Sequence, residues 1–507
     1  MIFEQSRQRQ PLSAARVPGV RSPQQGRPEA PTLALACAAT VVALTVFTLP
    51  LSTLLTLGQT LHAGPSERTW ILSSCSVGLG AGLLVSGALA DKLGRRALFA
   101  SGAVLQALFL FGGAALASPV LFIVARVGQG LGAAALTATS LGLIAQVTPP
   151  GPRRARAVGL WGASLGAGII AGPLIAALLG PPTGWRSPYL LVGVLSIGLA
   201  VFSRVLPSNP PHPAASGGNI DYSAAAALIA GPSALLAGLI LGRSGWTQPA
   251  AIGLLLAGVL VLAGFVFHER RTKSPLIDLT LFGNPEFVTV TCAALAAGFG
   301  VIALASYSPT LAEDAMHGSA LSGSLPLVIW SGVSIAVALL ARRIHGRVSP
   351  NAQLSAGLVV IGVGLITLIP LQAGDTVLRL APGFVIAGVG TGLLNAALGA
   401  QAVATVPPHH ASMGSGVNNT ARYLGSALGV AVVTSTISSA TPQSQLHSWT
   451  TPVVIDAVVS VLVGIAIPVF LRAARTRSTA RGTTDRDQHD DGIGSGETVR
   501  PARTIAG

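Results

Sequence analysis

The sequence predicts an all-α membrane protein with fourteen transmembrane helices and both termini in the cytoplasm. Three observations lead to this prediction. Of the 507 residues, 50% are hydrophobic and only 9% are charged, whereas a soluble domain carries about 25% charged residues. The apolar residues form fourteen long stretches, and most basic residues lie between them on one side of the membrane.

The fourteen stretches are each long enough to be a membrane span. A helix rises about 1.5 Å per residue, so about 20 apolar residues cross the roughly 30 Å hydrocarbon core of a bilayer. We place the spans near residues 34–60, 70–90, 97–117, 120–146, 157–180, 189–207, 223–242, 249–267, 287–311, 322–341, 353–372, 378–405, 413–438 and 451–471.

The net charge of +14 follows from this topology. When the loops are numbered along the chain, 25 of the 31 Lys and Arg residues fall on the side that holds both termini. Basic loops remain in the cytoplasm, which places both termini there. We therefore expect that the chain lies in the lipid bilayer of a bacterial plasma membrane. We do not expect nucleic acid as a partner.

The chain divides into two six-helix pseudo-repeat halves and two inserted helices. The amino-terminal segment is rich in Arg, Gln and Pro and lacks the apolar core of a signal peptide. A Pro/Gly linker follows the sixth span. We predict a disordered cytoplasmic arm at 1–30, a six-helix bundle at 31–207, the linker and two inserted helices at 208–275, a second six-helix bundle at 276–474 and a disordered cytoplasmic tail at 475–507.

The charged loop between spans 2 and 3 carries the pattern G-x-L-A-D-K-x-G-R-R. The glycines allow close helix approach and a tight turn, and the acid can cap a helix or pair with an arginine. Its key residues are Gly87, Asp91, Lys92, Gly94, Arg95 and Arg96. The pattern resembles the cytoplasmic loop signature of the major facilitator superfamily of secondary transporters. The resemblance implies a gating loop that latches the outward-facing state and does not bind substrate.

Span 4 contains Arg126, Gln129 and Gly130 in an arrangement similar to the R-x-x-Q-G motif of that family. An arginine inside the membrane is costly, so it usually faces a cavity or a partner. The resemblance implies that Arg126 tunes a proton site or contacts the transported compound. The alternative is an arginine near the end of the span that reaches water.

Span 5 resembles the antiporter motif of the family, a glycine-rich helix that ends in Gly-Pro. Glycines four residues apart offer a smooth face to a neighbouring helix, and a proline bends the axis. The motif residues are Gly162, Gly166, Gly168, Gly172 and Pro173. Ala176 and Ala177 stand where the family usually has two further glycines. The motif favours export over import.

Span 13 carries Asn418 and Arg422, four residues apart, in a segment similar to the family pattern G-x-x-x-x-N-x-x-R-x-x-G. The spacing predicts that both side chains share one helix face. Two interpretations remain open, a transport role and an interfacial arginine near the cytoplasmic entry of the span.

Span 1 lacks the acid that relatives of this family carry ahead of a proline, since residues 43–50 contain no Asp or Glu. This leaves Asp456 in span 14 as the candidate for proton coupling, because an acid inside the membrane suggests function. The alternative is that Asp456 is hydrated near the outer surface.

Together the motifs resemble the fourteen-span drug:proton antiporter branch, which includes multidrug and quaternary-ammonium exporters. The resemblance implies a secondary active exporter of small amphipathic compounds by proton antiport, with an apolar cavity lined by spans 1, 4, 5 and 13 among others. The alternative is an uncoupled facilitator or uptake carrier, and a more remote one is a membrane sensor or enzyme on this scaffold. No ATP-binding loop, metal-ligand spacing or cofactor motif occurs, so we expect no enzyme, metal or cofactor.

Overall fold

A computed structural model of the chain describes residues 29–208, 221–242, 245–272, 275–316, 320–341, 348–437 and 441–493. Within these ranges the chain is helical, with seventeen α-helices and no β-strand. The helices are α1 (Glu29–Thr48), α2 (Pro50–Thr60), α3 (Pro65–Leu93), α4 (Arg95–Ala115), α5 (Pro119–Val147), α6 (Pro152–Thr183), α7 (Arg186–Phe202), α8 (Tyr222–Gly242), α9 (Pro249–Glu269), α10 (Pro285–Ala297), α11 (Ala303–Ala315), α12 (Ala320–Ala341), α13 (Pro350–Ile366), α14 (Ala381–Ala404), α15 (Ala411–Thr436), α16 (Pro442–Ser448) and α17 (Thr450–Ile493).

Twelve helical segments in the described part are long and apolar enough to cross a membrane, and they coincide with twelve of the fourteen predicted spans. The other two predicted spans are also helices. Helix α13 has only 17 residues, and α15 has 26 residues but is too polar over a full membrane thickness to qualify by composition. The chain is thus a helical membrane protein, while the number fourteen and the cytoplasmic termini stay predictions.

The disorder predicted for the two ends stays a prediction. The amino-terminal arm lies outside the described residues, apart from Glu29 and Ala30, which begin α1. At the other end α17 continues to Ile493, past residue 475, where we predicted that a disordered tail begins. A helix that is already nucleated extends without a new nucleation cost, so the long apolar span can carry its polar continuation as helix.

Two large apolar cores hold the helices together. One is built mainly from buried side chains of α1 to α7, with Ala402, Val403 and Ala411 of α14 and α15, and the other from those of α10 to α17. Helices α8 and α9 pack against each other, and α8 also packs against α3 and α15. Direct contacts between the cores run from α15 to α3 and α5, and from α12 and α14 to α6. These contacts form the boundary at which the candidate site lies.

Two spans that border this boundary are irregular. The first span breaks between α1 and α2, because Pro50 has no N–H and leaves the carbonyl of Val46 without its helical donor. The ninth span joins α10 to α11 through a π-helical segment, Gly298–Ile302. Such segments are frequent at functional sites.

Candidate functional site

A small cavity of about 60 Å³ lies between the two apolar cores. Its lining residues come from both cores, on α1, α6, α12, α14, α15 and the region of the π-helical segment. They are Leu44, Phe47, Leu165, Gly166, Ile169, Ala297, Val301, Ile302, Trp330, Ser331, Ser334, Thr391, Asn395, Arg422 and Tyr423. Drug-sized sites usually measure about 300–1,000 Å³, so the cavity in this conformation is too small for a drug-sized compound.

The cavity corrects part of our prediction about its walls. Spans 1, 5 and 13 line it as expected, but the lining includes no residue of α5, the predicted span 4. Spans 9, 10 and 12 contribute instead. The sequence did not reveal these spans because their lining residues belong to no motif. The available signal was a polar residue in an apolar span, such as Ser331 or Asn395.

Arg422 is the charged side chain of the cavity. It is 8% exposed, so it is not the interfacial arginine of our alternative interpretation. Its Nη1 donates to Oδ1 of Asn395 at 3.3 Å, and its Nη2 donates to Oδ1 of Asn419 at 2.6 Å. The guanidinium also lies 5.9 Å from the centre of the Tyr423 ring. Its described partners are therefore all uncharged.

Asn418 does not bind Arg422, although the spacing predicts a shared face. The amide of Asn418 instead donates to the backbone carbonyl of Val290 in α10 at 3.4 Å. The asparagine that holds Arg422 is Asn419, three residues before it. A side chain three residues away is also a helical neighbour, and Asn419 rather than Asn418 stands at the asparagine of the N-x-x-R spacing in the family pattern.

Arg126 is fully buried at 0% exposure, which excludes an arginine that reaches water. Its Nη1 donates to the carbonyl of Val46 at 2.7 Å, the carbonyl that Pro50 leaves free. Its other donors reach the carbonyl of Phe47 at 3.3 Å and that of Ile71 at 3.4 Å. Arg126 thus supplies a donor to the carbonyl that is free at the break in the first span, and it links α5 to α1 and α3. It touches the cavity wall only through the backbone of Phe47.

The remaining residues of the span 4 motif support Arg126. Oε1 of Gln129 accepts from Nη1 of Arg126 at 3.0 Å, and Nε2 of Gln129 donates to the carbonyl of Phe109 in α4 at 2.9 Å. A Cβ at Gly130 would lie 2.7 Å from the backbone N of Leu79, so the glycine permits close contact between α5 and α3. The motif therefore holds four helices together.

The loop motif joins the two cores at one end of the bundle. Asp91 accepts hydrogen bonds from the backbone N–H of Met413 at 2.8 Å and of Ser412 at 3.3 Å. It also pairs with Arg95 at 2.9 Å. A carboxylate at the amino terminus of α15 is stabilised by the helix dipole. We call these contacts of Asp91 and Arg95 the Asp91 latch.

Arg95 extends the latch to both sides of the boundary. Its Nη1 donates to the carbonyl of Gly142 in α5 at 3.0 Å, and its Nη2 donates to the carbonyl of Pro408 at 2.9 Å. Gly94 makes the turn between α3 and α4 with a φ of 101°, a conformation that favours glycine. The Asp91–Arg95 pair is buried, with side-chain exposures of 5% and 6%.

The other loop residues lie around the latch. A Cβ at Gly87 would lie 2.5 Å from the carbonyl oxygen of Ser412, so this glycine permits the close approach of α3 and α15. Lys92 lies near enough to Glu269, at the end of α9, for electrostatic attraction. Arg96 is half-exposed. The loop thus contacts the inserted helices as well as both cores.

His410 precedes α15 and lies beside the latch. Burial, together with the neighbouring His409, lowers the pKa of its imidazole, while Asp91 acts in the opposite direction. His410 is therefore neutral at neutral pH and adds no positive charge next to Arg95.

The glycines of the span 5 motif bring α6 close to two other helices. A Cβ at Gly168 would lie 2.6 Å from Cβ of Leu44, and the site of Gly172 is equally tight against α1. Gly166 faces α12, where a Cβ would lie 2.7 Å from Cγ1 of Ile335. Gly162 has more room, with its nearest contacts at 3.8 Å on Asn395. Pro173 lies inside α6, which continues through it to Thr183.

Asp456 is buried at 0% exposure, and both of its carboxylate oxygens lack a hydrogen-bond partner among the described residues. The alternative that it is hydrated near the surface is therefore wrong. Its helix packs against the π-helical segment, where a Cβ at Gly300 would lie 3.5 Å from the Asp456 carbonyl. Val301 and Ile302 of that segment line the cavity. Ionising a buried, unpartnered carboxylate costs several kcal/mol.

Comparisons with known proteins agree with this architecture. A family model described as the Major Facilitator Superfamily matches residues 35–430. The multidrug resistance protein Stp of Mycobacterium tuberculosis is 30% identical over 380 residues, which cover 74% of this chain and 70% of Stp. The probable actinorhodin transporter of Streptomyces coelicolor is 32% identical over 378 residues, which cover 72% of this chain and 64% of that protein.

Among solved structures, the human organic anion transporter MFSD10 (TETRAN) matches with a TM-score of 0.62 at 17% sequence identity. The match covers 85% of this chain and 99% of the human protein, and at this identity it shows the fold alone. The family model, in contrast, spans most of the sequence and includes the loop, span 4 and span 5 motifs. The chain therefore belongs to the Major Facilitator Superfamily and is a transporter rather than an enzyme.

Proposed function

We propose that this protein is a secondary active exporter of small amphipathic compounds in the plasma membrane, driven by proton antiport. The observation that carries the proposal is the small cavity between two helical cores, with the Asp91 latch joining those cores at one end. The similar proteins are named as a multidrug resistance protein and a probable actinorhodin transporter, which supports export of compounds of this kind.

The conformation fits one step of alternating access. The excess of basic residues on the side of the latch supports a cytoplasmic position for it. With the latch closed, the cytoplasmic end is shut, and the cavity is too small for a drug-sized compound. Export then requires that the hydrogen bonds to Met413 and Pro408 break, so that the cores separate and the cavity widens toward the cytoplasm.

The packing of α6 supports rocking of the two cores against each other. Gly168 and Gly172 hold α6 against α1 within one core, while Gly166 faces α12 of the other core. Helices that meet through glycine carry no side chains that interlock at the contact, so small sliding motions meet little steric resistance. The same helix carries the glycine–proline motif that is similar to that of antiporters.

Asp456 supplies the proton site in this proposal. Because ionisation of a buried acid is unfavourable in free energy, its protonation state changes strongly when water or a partner reaches it. It lies behind the π-helical segment whose residues Val301 and Ile302 line the cavity. Widening of the cavity would move this segment and hydrate Asp456, which would then release its proton to the side that is open.

Transport in liposomes tests the proposal. The purified protein is reconstituted, and movement of a panel of amphipathic dyes of either charge is followed with and without an imposed proton gradient. We expect movement against the dye gradient only when protons flow the other way, and dissipation of the gradient by an ionophore should abolish it. Movement that is indifferent to the gradient would favour the uncoupled facilitator, an alternative that the missing acid in span 1 supports.

A further inference from the structure

We infer that the cavity selects planar organic compounds that carry a negative charge, such as a carboxylate or a phenolate, and that Arg422 binds that charge. The inference rests on the proposed function for the transport of these compounds, but the recognition step itself can be measured without transport.

The charge of the lining is positive. Arg422 is the one side chain among the fifteen described lining residues with a formal charge at neutral pH, and no Asp, Glu, Lys or His is among them. The ion pairs of Asp91 with Arg95 and of Asp221 with His268 lie elsewhere. A compound that enters this cavity therefore meets a single uncompensated cation.

The three buried arginines differ in the groups that accept their hydrogen bonds. Arg95 has the carboxylate of Asp91 as its partner. Arg126 has the carbonyls of three residues around the break in the first span. Arg422 has two amide oxygens in the described structure, and it borders an open volume. A buried guanidinium is stabilised most by an anion that accepts two of its donors at once, and the cavity is where such an anion would come from.

A hydroxyl group in the same cavity lacks a partner. Oγ of Ser331 is buried and has no hydrogen-bond partner among the described residues, and Ser331 lines the same cavity as Arg422. A buried hydroxyl without a partner loses free energy relative to one that is satisfied. A ligand carboxylate or phenolate is an acceptor that would satisfy Ser331 and Arg422 together.

The remaining walls suit a flat ring system. Phe47 and Tyr423 lie edge to face with ring centres 6.3 Å apart, and the indole of Trp330 is fixed by a hydrogen bond to Thr391 at 3.0 Å. These aromatic groups come from α1, α15 and α12. A planar ligand can lie against them with its charged edge toward Arg422. A cationic ligand of the same shape would place a second positive charge beside the guanidinium in surroundings that screen it poorly.

Two dyes of the same ring system and opposite charge test the inference. Fluorescein is an anion at pH 7.5, and rhodamine 123 is a cation built on the same xanthene. Binding of each dye to the purified protein, in nanodiscs of zwitterionic lipid, is measured by fluorescence anisotropy. We expect fluorescein to bind at least about tenfold more tightly than rhodamine 123, and Arg422→Gln to weaken fluorescein binding about ten- to one-hundredfold. Arg422→Lys keeps the charge and should retain a large part of the affinity.

A second variant covers the case in which Arg422→Gln does not fold. Ser331→Ala removes a hydroxyl that has no partner in the described protein, so it should fold normally and weaken fluorescein binding several-fold while leaving rhodamine 123 unaffected. Equal or tighter binding of rhodamine 123 to the unchanged protein, unchanged fluorescein binding in folded Arg422→Gln, or binding of neither dye would overturn the inference. Selective fluorescein binding without gradient-driven transport would instead contradict the proposed function alone.

Discussion

The carboxylate of Asp91 accepts a hydrogen bond from the backbone N–H of Met413 at 2.8 Å, although 322 residues separate them in sequence. The same carboxylate pairs with Arg95 at 2.9 Å. One side chain thus joins the two cores and also neutralises a buried cation. Because the hydrogen bond ends on the first turn of α15, the dipole of that helix strengthens it. Any motion that opens this end of the protein has to break contacts that converge on Asp91.

The first prediction concerns this latch. Asp91→Ala leaves Arg95 buried without its charge partner, a change that typically costs about 3–5 kcal/mol. We expect a clear fall in the thermal unfolding midpoint of the purified protein and loss of gradient-driven transport. The matched control is Arg96→Gln in the same loop, since Arg96 is half-exposed and surface changes cost about 0.5 kcal/mol or less. Similar effects from both variants would mean that the latch has no special role.

His410 makes the stability of the latch dependent on pH. Its pKa in the folded protein is lowered by burial, below the value of about 6.5 that it has in an unfolded chain. As the pH falls through that range, the unfolded state takes up a proton more readily, so stability is full above it and decreases below it. We expect His410→Gln to lose less thermal stability than the unchanged protein between pH 7.5 and pH 5.5. Parallel losses in both proteins would contradict this assignment.

Arg126 and Pro50 should be coupled in stability. Arg126→Gln leaves the carbonyl of Val46 without a donor, which costs about 1–3 kcal/mol. Pro50→Ala supplies a backbone N–H that can satisfy the same carbonyl. In a double-mutant cycle followed by thermal unfolding, Arg126→Gln should therefore cost less in the Pro50→Ala background. An equal cost in both backgrounds would show that Arg126 does not act through the break in the first span.

The glycines of α6 should differ in their tolerance of alanine. A Cβ at Gly168 would lie 2.6 Å from Cβ of Leu44, whereas the nearest contacts at Gly162 are 3.8 Å away. Overpacking of a close contact costs about 1–3 kcal/mol. We expect Gly168→Ala to lower the thermal midpoint and the transport rate, and Gly162→Ala to change neither. If Gly162→Ala were the more damaging, the motif would act through a contact with Asn395 that this conformation does not show.

The sequence predicts the helices of this protein better than their contacts. Twelve spans follow from the length and apolarity of single segments, and these properties depend on the bilayer rather than on neighbouring helices. The helix α15 is one of the fourteen stretches that we counted as apolar, although over a full membrane thickness its composition is polar. The loop at Gly87 identified the family because its pattern is local and contiguous.

The sites could not be predicted to the same extent, because they depend on contacts between distant segments. The pairing of Asp91 with Met413 joins segments that no local pattern relates. The choice of Asn419 over Asn418 as the partner of Arg422 does have a local signal, since the N-x-x-R spacing of the family pattern fits Asn419. For Arg126 a signal did exist, since Pro50 frees a carbonyl that needs a donor. The burial of Asp456 could not be read from its position near a span end, because it depends on how the π-helical segment packs against α17.

Proton coupling through Asp456 is tested most directly by Asp456→Asn, which keeps the size of the side chain and cannot ionise. Two activities of the reconstituted variant are compared: dye accumulation driven by an imposed proton gradient, and exchange of labelled for unlabelled dye, which needs no net proton movement. Asp314→Asn, a change at an exposed acid, is the control and should behave like the unchanged protein. We expect Asp456→Asn to lose gradient-driven accumulation and to retain exchange. Gradient-driven accumulation at an undiminished rate in Asp456→Asn would contradict proton coupling at this residue.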